Sequence, residues 1–234
     1  MTPRPTISAV LPTYNEEANL EGTVRGLAPV LTRVAADYEI LVVDDGSADR
    51  TAEIATRLAG EIPHLRLLRH ARNRGYGAAL RTGFAAATRE WILLLDADGQ
   101  FLPAELERLV AAAPGADLVL GYRHRRADSA HRRFFAAVWR LLVGLLLGVR
   151  VRDTNCGFKL MRTALVQSLD LQAGGALISA ELLAKARRRG AVLVEVPVTH
   201  VPRRWGRQTG GSLRVTLRAY YELARLGWRI RQFN

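Results

Sequence analysis

The chain carries one cysteine, Cys156, in 234 residues, which excludes a disulfide framework and any metal centre built from several thiolates. Lysine is nearly absent, with 2 against 32 arginines. No apolar run reaches the roughly 18 residues that a membrane-spanning helix needs. The opening MTPRP leads straight into an apolar strand pattern without a signal-peptide core, so export is not expected. These absences lead us to expect a soluble or peripheral cytoplasmic protein. Acidic groups are also scarce where basic ones abound. Residues 1–117 hold 12 basic and 16 acidic groups, whereas residues 118–234 hold 22 basic and 6 acidic. Coding bias toward arginine would act on both halves alike, so the asymmetry behind the net charge of +12 points to an anionic partner. A nucleic acid, a membrane surface and a phosphorylated substrate all fit.

What is present is an alternation of short apolar strands and helical patterns. Strands are expected at Thr6–Leu11, Glu39–Val43, Leu65–Arg69, Trp91–Leu95 and Leu118–Leu120, with helices near 17–34, 49–59, 76–88 and 103–111. Asp49 and Pro103 are helix-start signals. Continuous apolar strands between helices predict an α/β, mostly parallel sheet with helices on both faces. The second half reads as a helix (131–148), an irregular segment RDTNCGFK (152–159), a helix (178–189), a strand (192–198), an Arg/Gly-rich loop (202–211) and a terminal helix (212–230). One domain over 1–211 followed by an amphipathic helix, 212–234, is the expected organisation.

In open α/β sheets, ligands bind beyond the carboxyl ends of the strands. Three such ends are polar here: PTYNEE (12–17), VDDGS (43–47) and DADGQ (96–100). Asp96 and Asp98 flank Ala97, so in an extended segment both carboxylates face one way, and a hard divalent cation such as Mg²⁺ or Mn²⁺ suits such a pair. A turn with a capping Asp is the alternative. Gly75 and Gly77 open the third helix but lack the third glycine of a dinucleotide fingerprint. Close packing and ligand contact remain equal readings for them.

Taken together, LPTYNEEANL, EILVVDDGSADRT, NRGYGAALRTGF, ILLLDADGQ, DTNCGFK and EVPV…PRRWGR resemble family-2 glycosyltransferases of the Rossmann-like GT-A fold. More narrowly they are similar to the dolichol-phosphate mannose synthase and polyprenyl-phosphate glycosyltransferase group, over about residues 6–211. The resemblance implies that Pro12, Tyr14, Glu16, Val43 and Asp45 hold the base and ribose of a nucleotide sugar, a GDP- or UDP-sugar. It implies that Asp96, Ala97, Asp98 and Gln100 hold the diphosphate through Mg²⁺ or Mn²⁺, with Asp98 and Gln100 as direct ligands. Arg123 and Arg203 would face the donor diphosphate and the acceptor phosphate. The implied reaction is inverting transfer of a mannose- or glucose-type sugar to a polyprenyl phosphate. Two positions depart from the group: Gln208-Thr209 stand where Ser-Lys is common, and Ala136 stands where Arg132 is commonly followed by Ser.

The alternative reaction is transfer to a soluble or glycan hydroxyl, with Asp153 as general base. Asp153 and Glu181 read equally well as structural partners of the irregular loop. Cys156 reads as a packed thiol. The five histidines show no metal spacing. The lack of a DNA- or RNA-binding signature argues against a nucleic acid. The stretch 134–149 is too short to span a bilayer and reads as a core helix or an interfacial one, bracketed by Arg123, Arg125, Arg126, Arg132, Arg133, Arg150 and Arg152. Arg214, Arg218, Arg225 and Arg229 repeat the theme beside Trp228. The expected location is therefore the inner membrane face, on anionic lipid, with a separate membrane-anchoring partner as a further expectation.

Overall fold

A computed structural model describes residues 4–124, 130–203, 205 and 223, with 130–136 described in backbone only. The elements are β1 (Thr6–Thr13), α1 (Leu20–Val34), β2 (Asp37–Asp44), α2 (Thr51–Glu61), β3 (Leu65–Arg69), α3 (Tyr76–Ala86), β4 (Trp91–Leu95), α4 (Leu106–Ala111), β5 (Leu118–Arg123), α5 (Ala130–Leu147), β6 (Phe158–Arg162), α6 (Thr163–Ser168), α7 (Leu177–Arg188) and β7 (Leu193–Val198). Among the described residues the strands form one sheet in the order β3-β2-β1-β4-β6-β5-β7. β1 pairs in parallel with β2 and β4, β2 with β3, and β5 with β7. β6 alone runs antiparallel, between β4 and β5.

β4 (WILLL) and the centre of β2 (ILVV) read as unbroken apolar runs because helices cover both faces. Side chains alternate across a strand, so neighbours go to opposite layers. Leu11, Leu93 and Leu95 join Leu20, Leu27 and Leu31 of α1 in one core, whereas Val10, Ile92 and Leu94 join Leu80 of α3 and Leu183 of α7 in the other. Asp49 meets its expectation, accepting from the backbone N–H and hydroxyl of Thr51 as α2 begins.

Three expectations need correction. The irregular segment 152–159 ends in strand β6, and α6 follows directly. β5 continues three residues past Leu120, which makes Arg123 a strand residue. The helix expected at 103–111 starts as a 3₁₀ turn, Pro103–Glu105, before α4. α5 buries Val143 and Leu147 but exposes Leu141 and Leu145 at 60% and 65%, so one edge packs into the core and another presents apolar groups outward. The terminal helix, and with it the division at 211/212, lies outside the described residues apart from buried, helical Leu223.

The order of the sheet explains where the site lies. The chain builds outward from β1 to β3, then returns to place β4 on β1's other side, opening a crevice at the carboxyl ends of β1, β2 and β4. Since β6 is antiparallel, its amino end enters the same crevice. The 153–157 segment is therefore delivered to the ends of β4 and β5.

Candidate active site

Pro12 and Val43 are register partners at the ends of β1 and β2, both buried. Tyr14 is half-exposed beyond them. The two strand ends are laced together: the Thr13 hydroxyl donates to Val43 O, the Asn15 N–H to Ser47 Oγ, and the Glu16 N–H to Thr51 Oγ1. Asn15, at φ 55°, turns the chain out of β1. Asp45 is buried and fully engaged. Its Oδ1 accepts from Arg74 N–H and lies 2.6 Å from His70 Nδ1, and its Oδ2 accepts from Gly75 N–H at 2.7 Å. Asp44 beneath it pairs with Arg69 at 3.1 Å.

At the end of β4, Asp96 donates its N–H to Gly157 O and accepts from the Tyr76 hydroxyl at 2.9 Å. Burial, reinforced by repulsion from Asp98, pushes the Asp96 carboxyl up to about 7. Burial and the Asp96 charge likewise raise the Tyr76 phenol well above its ordinary range, so it stays a donor. A Cβ on Gly157 would fall 1.8 Å from Asp96 Oδ2, so only glycine leaves room for this carboxylate. Asp98 Oδ1 accepts from the Gln100 N–H, Gln100 Nε2 donates to Val201 O, and Val201 N–H donates to Gln100 O. Gln100 thus ties the 96–100 turn to the 200–203 segment.

Two mutually repelling carboxylates suit a divalent cation, because its charge offsets both the burial and the repulsion that raise the Asp96 carboxyl. Among the described residues no group of three or more His, Cys, Asp or Glu side chains forms a closed cation cage.

Arg123 and Asp153 form a two-pronged pair: Nε to Oδ2 at 2.6 Å and Nη2 to Oδ1 at 2.9 Å. The Arg123 charge also acts on Asp96, so this pair stands beside the β4 end. Arg203 reaches back across the crevice, with Nη2 on both Glu16 oxygens at 2.6 and 2.7 Å and Nη1 3.8 Å from Asp98 Oδ2. Asn19 Nδ2 supports it by donating to Glu16 Oε2 and to Trp205 O.

The structure therefore brings Glu16, Asp98, Gln100 and Arg203 together, with Asp96, Arg123 and Asp153 beside them. Sequence reasoning gave no role to Tyr76, Gly157, His70 or Lys159. Lys159 was legible as a lone charge next to apolar FKLM neighbours. It is buried, its Nζ donates to Cys156 O, and burial lowers its pKa against the opposing pull of Asp153 and Asp96. Gly75 and Gly77 resolve to packing, since a Cβ on Gly77 would lie 2.1 Å from Ala173 O. Glu181 resolves to the structural role, accepting from the Gln172 and Ala173 N–H groups and pairing with Lys185. Burial pushes the Cys156 thiol up to about 12, as befits a packed group. The side chains of Arg125, Arg126, Arg132, Arg133 and Ala136, and residues Gln208, Thr209, Arg214, Arg218, Arg225, Trp228 and Arg229, lie outside the described residues.

A doubly wound sheet whose strand ends carry acidic groups and facing arginines has its polar crevice where ligands of open α/β sheets bind. The family described as Glycosyl transferase family 2 matches residues 8–173, and the chain belongs to it. An undecaprenyl-phosphate 4-deoxy-4-formamido-L-arabinose transferase from Salmonella choleraesuis (strain SC-B67) is 32% identical over 202 residues, covering 86% of this chain and 61% of that protein. The corresponding Salmonella newport (strain SL254) protein matches to the same extent. The chain thus spans about 61% of the length of these relatives. Among solved structures, glucosyl-3-phosphoglycerate synthase from Mycobacterium tuberculosis, in complex with phosphoglyceric acid, superposes with a TM-score of 0.76 at 23% identity, covering 96% of this chain and 80% of that one. Its complex with Mn²⁺, uridine diphosphate and phosphoglyceric acid gives 0.75 at 23% identity over 95% and 78%. These likenesses establish the GT-A fold.

Proposed function

We propose that the chain transfers a sugar, of mannose or glucose type, from a GDP- or UDP-sugar to a polyprenyl phosphate with inversion. The observation that carries the acceptor is the Arg123–Asp153 pair. A general base must turn a lone pair toward the proton it removes, and the two-pronged pair fixes the Asp153 carboxylate in the orientation that serves Arg123. That arrangement favours an acceptor that brings its own ionised oxygen. A phosphate monoester does so at neutral pH, since its second pKa lies near ~6. Undecaprenyl phosphate in the names of the Salmonella relatives supports this choice.

On the donor side, Pro12, Tyr14, Glu16, Val43 and Asp45 line the base and ribose position, and Ala97 and Gln100 flank the diphosphate. Asp96 and Asp98 fit a shared Mg²⁺ or Mn²⁺, which when bound neutralises charge on the leaving diphosphate. Arg203 sits between Glu16 and Asp98, where a diphosphate would exchange one anionic partner for another. Arg123, held rigid by Asp153, offers a fixed cation toward the attacking phosphate, which orients it and offsets its charge. The complexes of the M. tuberculosis synthase with Mn²⁺ and uridine diphosphate support a metal and a uridine donor.

Among the described residues no helix is long and apolar enough to cross a membrane. The exposed Leu141 and Leu145 and the basic second half support a peripheral position on anionic lipid at the cytoplasmic face of the inner membrane, with a membrane-anchoring partner. The test is incubation of the purified protein with UDP- and GDP-sugars, Mn²⁺ or Mg²⁺, and either undecaprenyl phosphate in detergent or soluble hydroxyl acceptors. Glycosylated polyprenyl phosphate with release of nucleoside diphosphate is expected. Transfer to the soluble acceptors alone would overturn the proposal.

A further inference from the structure

His70 follows β3 directly and is buried, yet the proposed reaction gives it no task. Its ring spans two elements, with Nδ1 2.6 Å from Asp45 Oδ1 and Nε2 2.9 Å from Thr82 Oγ1 on α3. Asp45 Oδ1 already accepts the Arg74 N–H and Oδ2 the Gly75 N–H, so the carboxylate meets the ring as an acceptor. That fixes the tautomer. Nδ1 carries a proton and donates, and Nε2 faces the Thr82 hydroxyl.

Asp45 is therefore held from behind by a ring and holds, in front, the loop that starts α3. The loop is packed hard against the β2 turn: at Gly46, φ 71°, a Cβ would lie 2.4 Å from the Arg72 carbonyl carbon. Immediately after Gly75 comes Tyr76, whose hydroxyl donates to Asp96. One hydrogen-bonded path thus runs from Thr82 through His70, Asp45 and the 74–75 backbone to Tyr76 and Asp96.

We propose that His70 is a positioning residue for the donor: by fixing Asp45 it sets the 72–75 loop and, through Tyr76, the Asp96 carboxylate. The inference rests on the reading of these strand ends as a nucleotide-sugar site. His70→Asn and His70→Gln test it, because the asparagine amide nitrogen replaces Nδ1 and keeps a donor on Asp45, whereas the glutamine amide reaches toward Nε2 and does not. His70→Gln should weaken binding of UDP or GDP, measured by calorimetry with Mn²⁺, and raise the donor KM about 10-fold, the scale of one lost charge-assisted hydrogen bond. The acceptor KM should not move, and His70→Asn should stay within about 3-fold of wild type. Nitrogen-15 spectra of the wild type should show His70 protonated on Nδ1. A merely structural histidine would lower Tm alike in both variants and leave donor affinity of the folded protein unchanged. That result, or an Nε2–H tautomer, overturns the proposal alone. Wild-type protein that binds neither UDP nor GDP refutes the donor-site reading and the proposal with it.

Discussion

Gly157→Ala is the sharpest single-atom test of the site. The added methyl would sit 1.8 Å from Asp96 Oδ2 and 2.2 Å from its Cγ. A carbon–oxygen contact needs about 3.3 Å, so the carboxylate must retreat by about 1.5 Å. It cannot do so freely, because Oδ1 is held by Tyr76 and the Asp96 N–H is bonded to residue 157 itself. The backbone at Gly157 is not left-handed, so alanine adds no conformational strain of its own and the perturbation falls on Asp96. Misplacing a reacting group by ~1 Å costs roughly 100-fold in rate. We therefore expect kcat/KM for sugar transfer to fall about 100-fold, with circular dichroism of the folded protein unchanged. Gly22→Ala in α1, where nothing lies within 4 Å of the new methyl, is the matched control and should instead raise stability by about 0.5–1 kcal/mol. Wild-type turnover in Gly157→Ala would refute the claim that the Asp96 carboxylate must occupy this position.

The acceptor side is tested by a double-mutant cycle on the Arg123–Asp153 pair. If Asp153 acts only by holding Arg123, Asp153→Asn should lower kcat/KM about 10-fold alone and add little to Arg123→Ala, whereas a general base would cost a further ~100-fold or more in either background. Glu39 gives a pH test at the other end of the strands. Burial opposes its charge, but donors from Ser8 and Thr88 and the nearby Arg89 outweigh burial and hold its carboxyl below the usual 4.5. A lowered carboxylate stabilises the fold above its unfolded pKa and loses that contribution as pH falls through the folded value. Thermal melts of Glu39→Gln should consequently show a shallower loss of Tm below about pH 4.5 than wild type, and parallel acid limbs would refute the reasoning. Cys156, with its thiol pushed up to about 12 and fully buried, should resist alkylation at pH 8 until the protein unfolds; rapid labelling of the native protein would show the segment to be open.

The first half of the fold was legible because its central strands carry apolar runs, as in β4, and α1 shows an apolar stripe at Leu20, Leu27 and Leu31. β6 was not, for a physical reason. Its sequence FKLMR carries a lysine at the second position and follows NCG, so it reads as loop. Lys159 is tolerated inside the sheet because the Cys156 carbonyl takes its proton donor and two carboxylates oppose its desolvation. Such compensation comes from other elements and leaves no local mark. The glycines of RGYG show the same limit. Their spacing suits close packing and ligand contact equally, and only the approach of Ala173 and Gly174 reveals that they make room for another segment.

The site residues were legible as types but not as partners. Asp, Glu and Gln at strand ends announce a polar crevice whatever their bonds. The pairings that decide the chemistry join residues 30 apart, Arg123 and Asp153, and 187 apart, Glu16 and Arg203. No periodicity spans such distances. Topology does, since an antiparallel β6 between β4 and β5 is what turns the 153–157 segment back over the strand ends. With that one strand parallel, its amino end would sit at the far edge of the sheet, and neither Asp153 nor Gly157 would reach the crevice. The reversal of β6 thus gives the crevice at the ends of β1, β2 and β4 a second wall, which carries the Arg123–Asp153 pair. Asp153 is committed there to orienting Arg123, and a fixed cation at that place is the ground for proposing an acceptor that carries its own negative charge.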